Sequence, residues 1–414
     1  MFEIDTWQEI YNTIRSNKLR TFLTSFSVAW GIFMLIVLLG SGNGLENGVK
    51  SRFNDVSNNS VWIYTGQTTL PYKGLKKGRD IQFRNEDLVF AKNNISSLEH
   101  LSTQFHKWGQ TKVYYKNKTG KFNILGTNEE FKEIAKTQVY KGRFINKLDL
   151  RDFRKVAVIG LHVEEALFGK TNPIGEYINL NNIPFKIVGV FKDEGNQDEQ
   201  QMIMLPLTTA QKVFNGANNI ENIIVSFKDI SSGQKLKEIE KLKTGLALKH
   251  NFDVLDPKAI DVWNVEEEYL KMLSLFKGIR IFIWIIGIGT LLAGIVGISN
   301  IMMISVKERT REIGIRKALG AKPSSIVFLI LLESVVITFI AGYFGLVSGV
   351  GLIELANIGL ANVKMDASMF KNPTVDFTIA ISATVLLIVA GALAGFFPAR
   401  KAAQVSPIEA LKSD

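Results

Sequence analysis

The sequence of 414 residues contains no cysteine and only four histidines. Without cysteine the chain has no disulfide scaffold and no thiolate for zinc, an iron–sulfur cluster or nucleophilic catalysis. None of the histidines belongs to an H-E-x-x-H pair, and the sequence has no G-x-S-x-G motif. We therefore expect no metal site and no catalytic residues in this chain.

A nucleotide-binding loop is also missing. Gly169, Lys170 and Thr171 resemble the end of a P-loop, but the pattern requires a glycine where this chain has Glu164. We interpret these residues as a turn after a short helix. No other Walker-type sequence occurs, so we expect this chain to hold no cofactor and not to hydrolyse ATP by itself.

The composition is typical of a few apolar spans joined to a large water-soluble part. Hydrophobic residues make up 46% of the chain and charged residues 21%, which excludes a disordered chain. The net charge of +10 is compatible with nucleic acid, with anionic lipid, or with basic loops beside a membrane. Where the charge lies decides among them.

Four long runs are apolar enough to cross a bilayer, which takes about 20 residues. They are residues 21–40, 279–304, 324–352 and 377–397. Runs this long and this free of charge argue against core elements of a soluble protein. The first run exceeds the apolar region of a signal peptide and no A-x-A site follows it, so we interpret it as a retained anchor.

Lysine and arginine cluster before the first run, between the second and third runs, and after the fourth. In the loop 353–376, by contrast, Lys364 and Lys371 are balanced by Asp366 and Asp376. Basic loops stay in the cytoplasm, so both termini are predicted to be cytoplasmic and the segment between the first two runs external. This placement explains the basic residues without nucleic acid.

The residues around the first run predict further helices. Residues 1–20 carry Trp7, Ile10, Tyr11 and Ile14 at helical spacing, which predicts an amphipathic cytoplasmic helix. It can lie on the membrane surface or pack on a protein partner. After the first run, residues 41–57 are predicted to form a stalk helix.

A second stalk helix is predicted at residues 258–278, before the second run. The apolar positions of the two stalk segments are Leu45, Val49 and Phe53 in the first, and Trp263, Leu270 and Leu273 in the second. We expect the two helices to pack together and to carry motion across the bilayer. Simple anchoring of the external domain would need the same residues.

The external residues 58–257 predict an α+β domain in two subdomains. Short β-branched runs predict strands, and other stretches predict helices. The strands are predicted at 61–64, 155–160, 185–191, 202–207 and 222–227, and the helices near 128–140, 163–168 and 233–248.

The cytoplasmic loop 305–323 has charges of alternating sign at helical spacing, which predicts a short exposed helix. Its apolar side includes Ile313 and Leu319; Gly320 can end the helix and Pro323 can begin the next. Such a helix can dock in a groove on a cytosolic partner. It can also be a solvated loop that only fixes topology.

Glu333 is a charged residue about two and a half turns into the third run, where ionisable groups are costly. It is either a functional group within the membrane or a carboxylate near the inner interface that pairs with a basic residue of the cytoplasmic loop. We favour the pairing.

Several segments resemble the MacB/FtsX-type permeases of ABC transporters. The most specific is ERTREIGIRKALGA (308–321). FPARKAAQVSPIEALK (397–412) resembles the C-terminal ending of the family, and NKLRTFLTSFSVAWGI (17–32) resembles its entry into the first span. VAVIGLHVEEALFGKTNPIGEYINLNNIPFKIVGVF (156–191) and MLPLTTAQKVF (204–214) are similar to the MacB-type periplasmic core domain.

This resemblance implies four transmembrane helices plus a stalk and an α+β periplasmic domain with porter-like and Sabre-like parts, the latter at about 120–205. It implies a bacterial inner-membrane protein that acts as a dimer, homomeric or with a sister permease. MacB carries an N-terminal ATPase, whereas about 20 residues precede the first run here. We therefore expect a separate ABC ATPase that binds ATP and Mg²⁺. The smaller external domain of FtsX-type members fits less well.

The mechanism implied by the resemblance is mechanotransmission, in which the ATPase moves the cytoplasmic loop and the stalk relays the motion. The ATPase-coupling residues carried over are Arg309, Glu312, Ile313, Arg316, Leu319 and Gly320, as charge pairs and groove fillers. Export or lipoprotein release is the leading expectation. A signal transmitter that moves no cargo and a membrane-anchored binding module are the alternatives. Membrane lipids, a periplasmic adaptor and an outer-membrane protein are further expected partners.

Overall fold

The computed structural model describes residues 18–54, 57, 59–192, 200–362, 370–375 and 377–406. Most of the predicted amphipathic helix 1–20 and the last part of the predicted tail 398–414 lie outside these residues. The chain divides into a membrane unit, Met1–Gly48 with Leu273–Asp414, and an external unit, Val49–Met272.

The described residues form helices α1 to α11 and strands β1 to β13, numbered along the chain. The first half contains α1 (Lys18–Asn54), β1 (Ser60–Thr65), β2 (Phe83–Arg84), α2 (Asn85–Asn94), β3 (Leu98–Ser102), β4 (Gln104–Tyr115), β5 (Lys118–Thr127), α3 (Phe131–Ile134), β6 (Gln138–Gly142), α4 (Lys147–Arg151), β7 (Val156–Gly160), α5 (Leu161–Leu167), β8 (Tyr177–Leu180) and β9 (Ile183–Lys192). The second half contains β10 (Met202–Pro206), α6 (Leu207–Val213), β11 (Asn219–Ile220), β12 (Asn222–Phe227), α7 (Ser232–His250), β13 (Ile260–Asn264), α8 (Val265–Glu308), α9 (Thr310–Ala318), α10 (Pro323–Asn362) and α11 (Phe377–Gln404).

The described residues include four helices long and apolar enough to span a membrane, within α1, α8, α10 and α11. They coincide with the four predicted runs and confirm them. Because α1 continues to Asn54 and α8 begins at Val265, both helices extend well beyond the predicted spans without a break.

The predicted start of the second stalk helix at residue 258 is wrong. Residues Ile260–Asn264 form strand β13, and the helix begins only at Val265. Trp263 matched a helical spacing in the sequence, but in the structure it pairs with Trp62 of β1, and the two ring centroids are 6.0 Å apart. Backbone pairing with β1 therefore determines the conformation of this segment.

The predicted apolar contact between the two stalk helices is only partly present. Phe53 contacts Tyr269, with 5.4 Å between the ring centroids, and Phe53 packs on the core of the external unit. Leu45 and Leu270, however, are exposed. Val49 and Leu273 are half-buried.

A polar contact joins α1 and α8 near Leu45. Arg280 Nη2 lies 2.7 Å from Glu46 Oε2, within the membrane unit. An ion pair therefore links the two helices there, where the sequence predicted an apolar contact.

The helices of the membrane unit pack closely where glycine replaces a side chain. A Cβ added to Gly345 of α10 would lie 2.2 Å from the carbonyl oxygen of Ala29 in α1. Only glycine allows this approach of two backbones. A Cβ on Gly391 of α11 would lie 2.9 Å from Cα of Val335 in α10. These glycines are thus used for packing within one chain.

The external unit contains a four-stranded antiparallel sheet in the order β13-β1-β12-β3. Helices α2 and α7 contribute to its core with residues such as Ala91, Leu242 and Leu246, which pack with Val61 and Val225 of the sheet. The predicted helix 233–248 is confirmed as α7.

A second sheet has seven strands in the order β6-β9-β7-β10-β5-β4-β8. Strand β8 at one end of this order also pairs with β9. The six strands from β9 to β8 therefore close into a barrel, and β6 lies outside it, paired with β9. All five predicted strands are present in the two sheets, so the predicted α+β class is confirmed.

The helix predicted near 128–140 is wrong in most of its length. Only Phe131–Ile134 is helical, and Gln138–Gly142 forms β6, which pairs with β9 at the edge of the second sheet. The β4–β5 hairpin was not predicted.

One buried ion pair lies where α8 begins in the external unit. The side chain of Lys235 in α7 is 2% exposed, and its Nζ lies 2.5 Å from Glu266 Oε2 and 3.1 Å from Asn59 Oδ1. Ser232 Oγ donates a 2.8 Å hydrogen bond to Glu266 Oε1. Because a buried ammonium needs such partners, these contacts fix the start of α8 to α7.

A buried carboxylate joins the two helices that pack on the four-stranded sheet. Burial raises the pKa of Asp87 at the start of α2, but hydrogen bonds from His250, Lys249 and the Arg84 N–H outweigh it. The pKa is thereby lowered to about 2. Asp87 therefore remains charged at physiological pH and ties the start of α2 to the end of α7.

Candidate functional site

The candidate site is the short helix α9, which lies between the membrane helices α8 and α10 in the sequence. Thr310 Oγ1 donates to the carbonyl oxygen of Lys307 at 2.8 Å, where the chain leaves α8. Gly320 follows the helix with φ +97°, a conformation that favours glycine, and Pro323 begins α10. The predicted short helix ended by Gly320 is confirmed.

One side of α9 is buried in the core of the membrane unit. Ile313 packs there in the same cluster as Val306, Ile326 and Ile330. Because its side chain is already covered by the chain itself, Ile313 is not available to fill a partner's groove. Its role in this structure is to hold α9 against the membrane helices.

Arg309, immediately before α9, connects this helix to the third membrane helix, α10. Arg309 Nη1 lies 3.4 Å from Glu333 Oε2, and Arg309 Nε lies 3.3 Å from Glu312 Oε2. Arg316 Nη2 lies 2.8 Å from Glu312 Oε1. The expected pairing of Glu333 with a basic residue of the cytoplasmic loop is therefore present.

Lys317 connects α9 to the end of the fourth membrane helix. Its Nζ donates hydrogen bonds to the carbonyl oxygens of Ala403 at 2.8 Å and Val405 at 2.6 Å. A cation at this position satisfies carbonyls that a helix C-terminus leaves unpaired. Sequence reasoning missed this contact, because Lys317 and Ala403 are 86 residues apart and no local pattern connects them.

The other side of α9 and its C-terminal end are exposed. Leu319 is 84% exposed and Ile315 is also exposed, and Arg311 and Glu312 lie among them at the surface. An apolar surface with charges of both signs is suited to docking against a protein. Because the buried side is held by α8, α10 and α11, a force applied to α9 would act on three membrane helices.

Four membrane helices, a large α+β unit between the first and second, and an anchored helix between the second and third define a permease-type membrane protein. Residues 21–242 match the MacB-like periplasmic core domain, and residues 284–407 match the FtsX-like permease C-terminal domain. The chain belongs to this MacB/FtsX-like permease family.

Named relatives are similar over nearly the whole chain. The macrolide export ATP-binding/permease protein MacB of Bdellovibrio bacteriovorus is 27% identical over 97% of this chain, and that of Chlorobium phaeobacteroides is 30% identical over 98%. The pyoverdine export ATP-binding/permease protein PvdT of Pseudomonas entomophila is 28% identical over 99%. This chain spans 60% of the length of each of these relatives.

Solved structures similar to the external unit are more distant. The periplasmic region of MacB from Actinobacillus actinomycetemcomitans is 20% identical with a TM-score of 0.44, covering 53% of this chain and 94% of that one. The extracellular domain of the transporter YknZ from Gram-positive bacteria is 19% identical with a TM-score of 0.42, covering 50% of this chain and 100% of that one. Likeness at this level carries no conclusion about function.

Proposed function

We propose that the chain is the permease subunit of a MacB-like, type VII ABC transporter. An ABC ATPase binds ATP and Mg²⁺ and drives motion of α9. Membership of the MacB/FtsX-like family supports this proposal, as do relatives named as export ATP-binding/permease proteins. The sequence has no Walker motif, so the nucleotide site is assigned to the partner.

The observation that supports the proposal most directly is that one side of α9 packs on the membrane helices while its other side is exposed. Its buried side is fixed by Ile313, by the Arg309–Glu333 pair and by Lys317 on the end of α11. Its other side presents Ile315 and Leu319. A partner that binds the exposed side can therefore move the membrane helices without entering their core.

The uninterrupted helices α1 and α8 provide the route out of the membrane. Each contains a membrane span and extends into the external unit. Because a continuous helix keeps its backbone hydrogen bonds along its whole length, a displacement at one end is carried to the other. We propose that this motion drives export or extraction of a substrate from the inner membrane or the periplasm.

The proposal includes an orientation and an assembly. Both termini and α9 are placed in the cytoplasm, and the external unit in the periplasm, in agreement with the distribution of lysine and arginine. A second permease copy completes the transporter, as a homodimer or with a sister chain. Membrane lipids surround the four spans, and a periplasmic adaptor and an outer-membrane protein complete the path.

The proposal is tested by purification of the tagged chain from its own membranes, with the variant Leu319→Glu beside it. A carboxylate at this exposed apolar position should weaken ATPase binding at least about 30-fold, or about 2 kcal/mol. Leu255→Glu is the matched control, because Leu255 is 82% exposed in the external unit. The amount of ABC ATPase in each eluate is measured by mass spectrometry.

The proposal requires an ABC ATPase in the wild-type and Leu255→Glu eluates and its loss from the Leu319→Glu eluate. Size-exclusion profiles of all three proteins must agree, since neither substitution reaches a core. Equal recovery of the ATPase with Leu319→Glu, or its absence from the wild-type eluate, would contradict the assignment of α9 as the coupling element.

A further inference from the structure

The external unit has a cavity, lined by both apolar and polar groups, that the coupling of α9 does not use. Its volume is about 460 Å³, and it opens to solvent beside helix α6. Two segments that follow short helices complete its wall: Phe153 comes after α4, and Asn215 and Asn218 come after α6. The space is large enough for a small organic molecule.

The floor of the cavity is held rigidly by two amide side chains. Asn85 Nδ2 donates to Gln211 Oε1 at 3.0 Å, and Gln211 Nε2 donates back to Asn85 Oδ1 at 2.9 Å. Gln211 Nε2 also donates to the carbonyl oxygen of Asn219 at 2.9 Å. Gln211 is 4% exposed and Asn85 is half-buried, so these hydrogen bonds hold both amides in place in the wall.

The rim of the cavity contains several residues in the left-handed conformation. Phe153 has φ +50°, Asn215 +55°, Ala217 +45° and Asn218 +64°. For phenylalanine and alanine this conformation is unfavourable. Strained backbone of this kind is concentrated where the chain positions side chains for binding.

The chemistry of the wall indicates the kind of ligand. Lys212 is the only charged residue among the described residues that line the cavity, and its Nζ lies 3.2 Å from the ring centroid of Phe153. One ammonium among neutral amides suits a monoanion better than a phosphate, which proteins bind with several cations. Amide side chains each offer a donor and an acceptor, so they complement amide and hydroxyl groups.

We propose that this cavity binds a small monocarboxylate that also carries an N-acyl group. Lys212 pairs with the carboxylate, Asn215 and Asn218 hydrogen-bond to the acyl amide, and the Phe153 ring covers the apolar part. The same chemistry is present in an N-acylated amino acid and in an N-acetylated sugar acid. Binding at this cavity does not depend on an ATPase.

The test is saturation-transfer NMR on the full chain in detergent with two matched pairs of probes. The first pair is N-acetylalanine and N-acetylalanine amide. The second pair is N-acetylmuramic acid and N-acetylglucosamine, which lacks the carboxylate. The variants are Lys212→Met and Asn218→Gly, which removes the amide but permits the positive φ, with Lys237→Met as the control at an exposed lysine of α7.

We expect the acid of at least one pair to bind, and its neutral counterpart to bind at least about tenfold more weakly. Lys212→Met should lower the affinity for that acid by a similar factor. Asn218→Gly should weaken both members of that pair, and Lys237→Met should change neither. The pair that responds identifies the source as peptide-like or sugar-like. Absence of binding by both acids at millimolar concentration, or equal binding of acid and neutral probe, would overturn the proposal.

Discussion

Replacement of Arg309 by methionine is expected to lower the unfolding midpoint of the membrane unit by about 6 to 12 °C, or about 3 kcal/mol. The Glu333 side chain is 3% exposed, and the substitution removes the guanidinium that lies 3.4 Å from it. A buried carboxylate that loses a cationic partner must be protonated or solvated at a cost. The midpoint is measured in detergent by fluorescence-detected size exclusion.

The control for this prediction uses the asymmetry of the pair. Arg309 is 21% exposed and also contacts Glu312, so Glu333→Gln leaves a cation with water and another carboxylate nearby. We expect Glu333→Gln to cost less than Arg309→Met, and the double variant to recover part of the loss. Additive effects of the two substitutions would show that the pair contributes no coupling.

The second large effect is expected at the ion pair where α8 begins in the external unit. Glu266→Gln should destabilise that unit by about 3 kcal/mol, because Lys235 is only 2% exposed and loses the carboxylate that lies 2.5 Å from its Nζ. The neutral amide of the variant can still accept one hydrogen bond from Lys235 but supplies no opposite charge. Limited proteolysis of the external unit during a thermal ramp measures the loss.

Lys235→Met is the matched variant for this position. Glu266 is 30% exposed and retains the hydrogen bond from Ser232, so water can compensate it when Lys235 is removed. We expect Lys235→Met to be milder than Glu266→Gln, since methionine fills the buried space without a charge. The reverse order would show that packing of the lysine stem, not its charge, determines stability at this position.

The membrane helices and the buried strands could be predicted because nearly all residues of each element lie in an apolar environment. Each element is therefore a continuous apolar run in the sequence. Residues Val156–Gly160 are buried throughout, so their apolar run signals a strand without knowledge of its neighbours. Long uncharged runs identify the spans in the same way. The end of α9 was predictable because Gly320 supplies the left-handed conformation that stops a helix.

Other elements depend on partners that no local pattern reveals. The strand Gln104–Tyr115 carries histidine, glutamines and lysines and has a register shift after Lys107, so it lacks a clear alternation. Residues Ile260–Asn264 have helix-like spacing but pair with β1. At the candidate site, the contact of Lys317 with Ala403 and the burial of Ile313 arise only when the membrane helices pack.

The central claim is that ATP-driven motion of α9 reaches the external unit. The absence of native cysteine permits two spin labels at introduced cysteines, Lys237→Cys in the external unit and Lys322→Cys beside α9. Both native lysines are exposed. The distance between the labels is measured by electron double resonance in nanodiscs, with the ATPase that purifies with the wild-type chain added to every sample. We predict that trapping ATP shifts the distance distribution in the wild-type background and leaves it unchanged with Leu319→Glu. An unchanged distribution in the wild-type background, with ATP trapped, would contradict the claim.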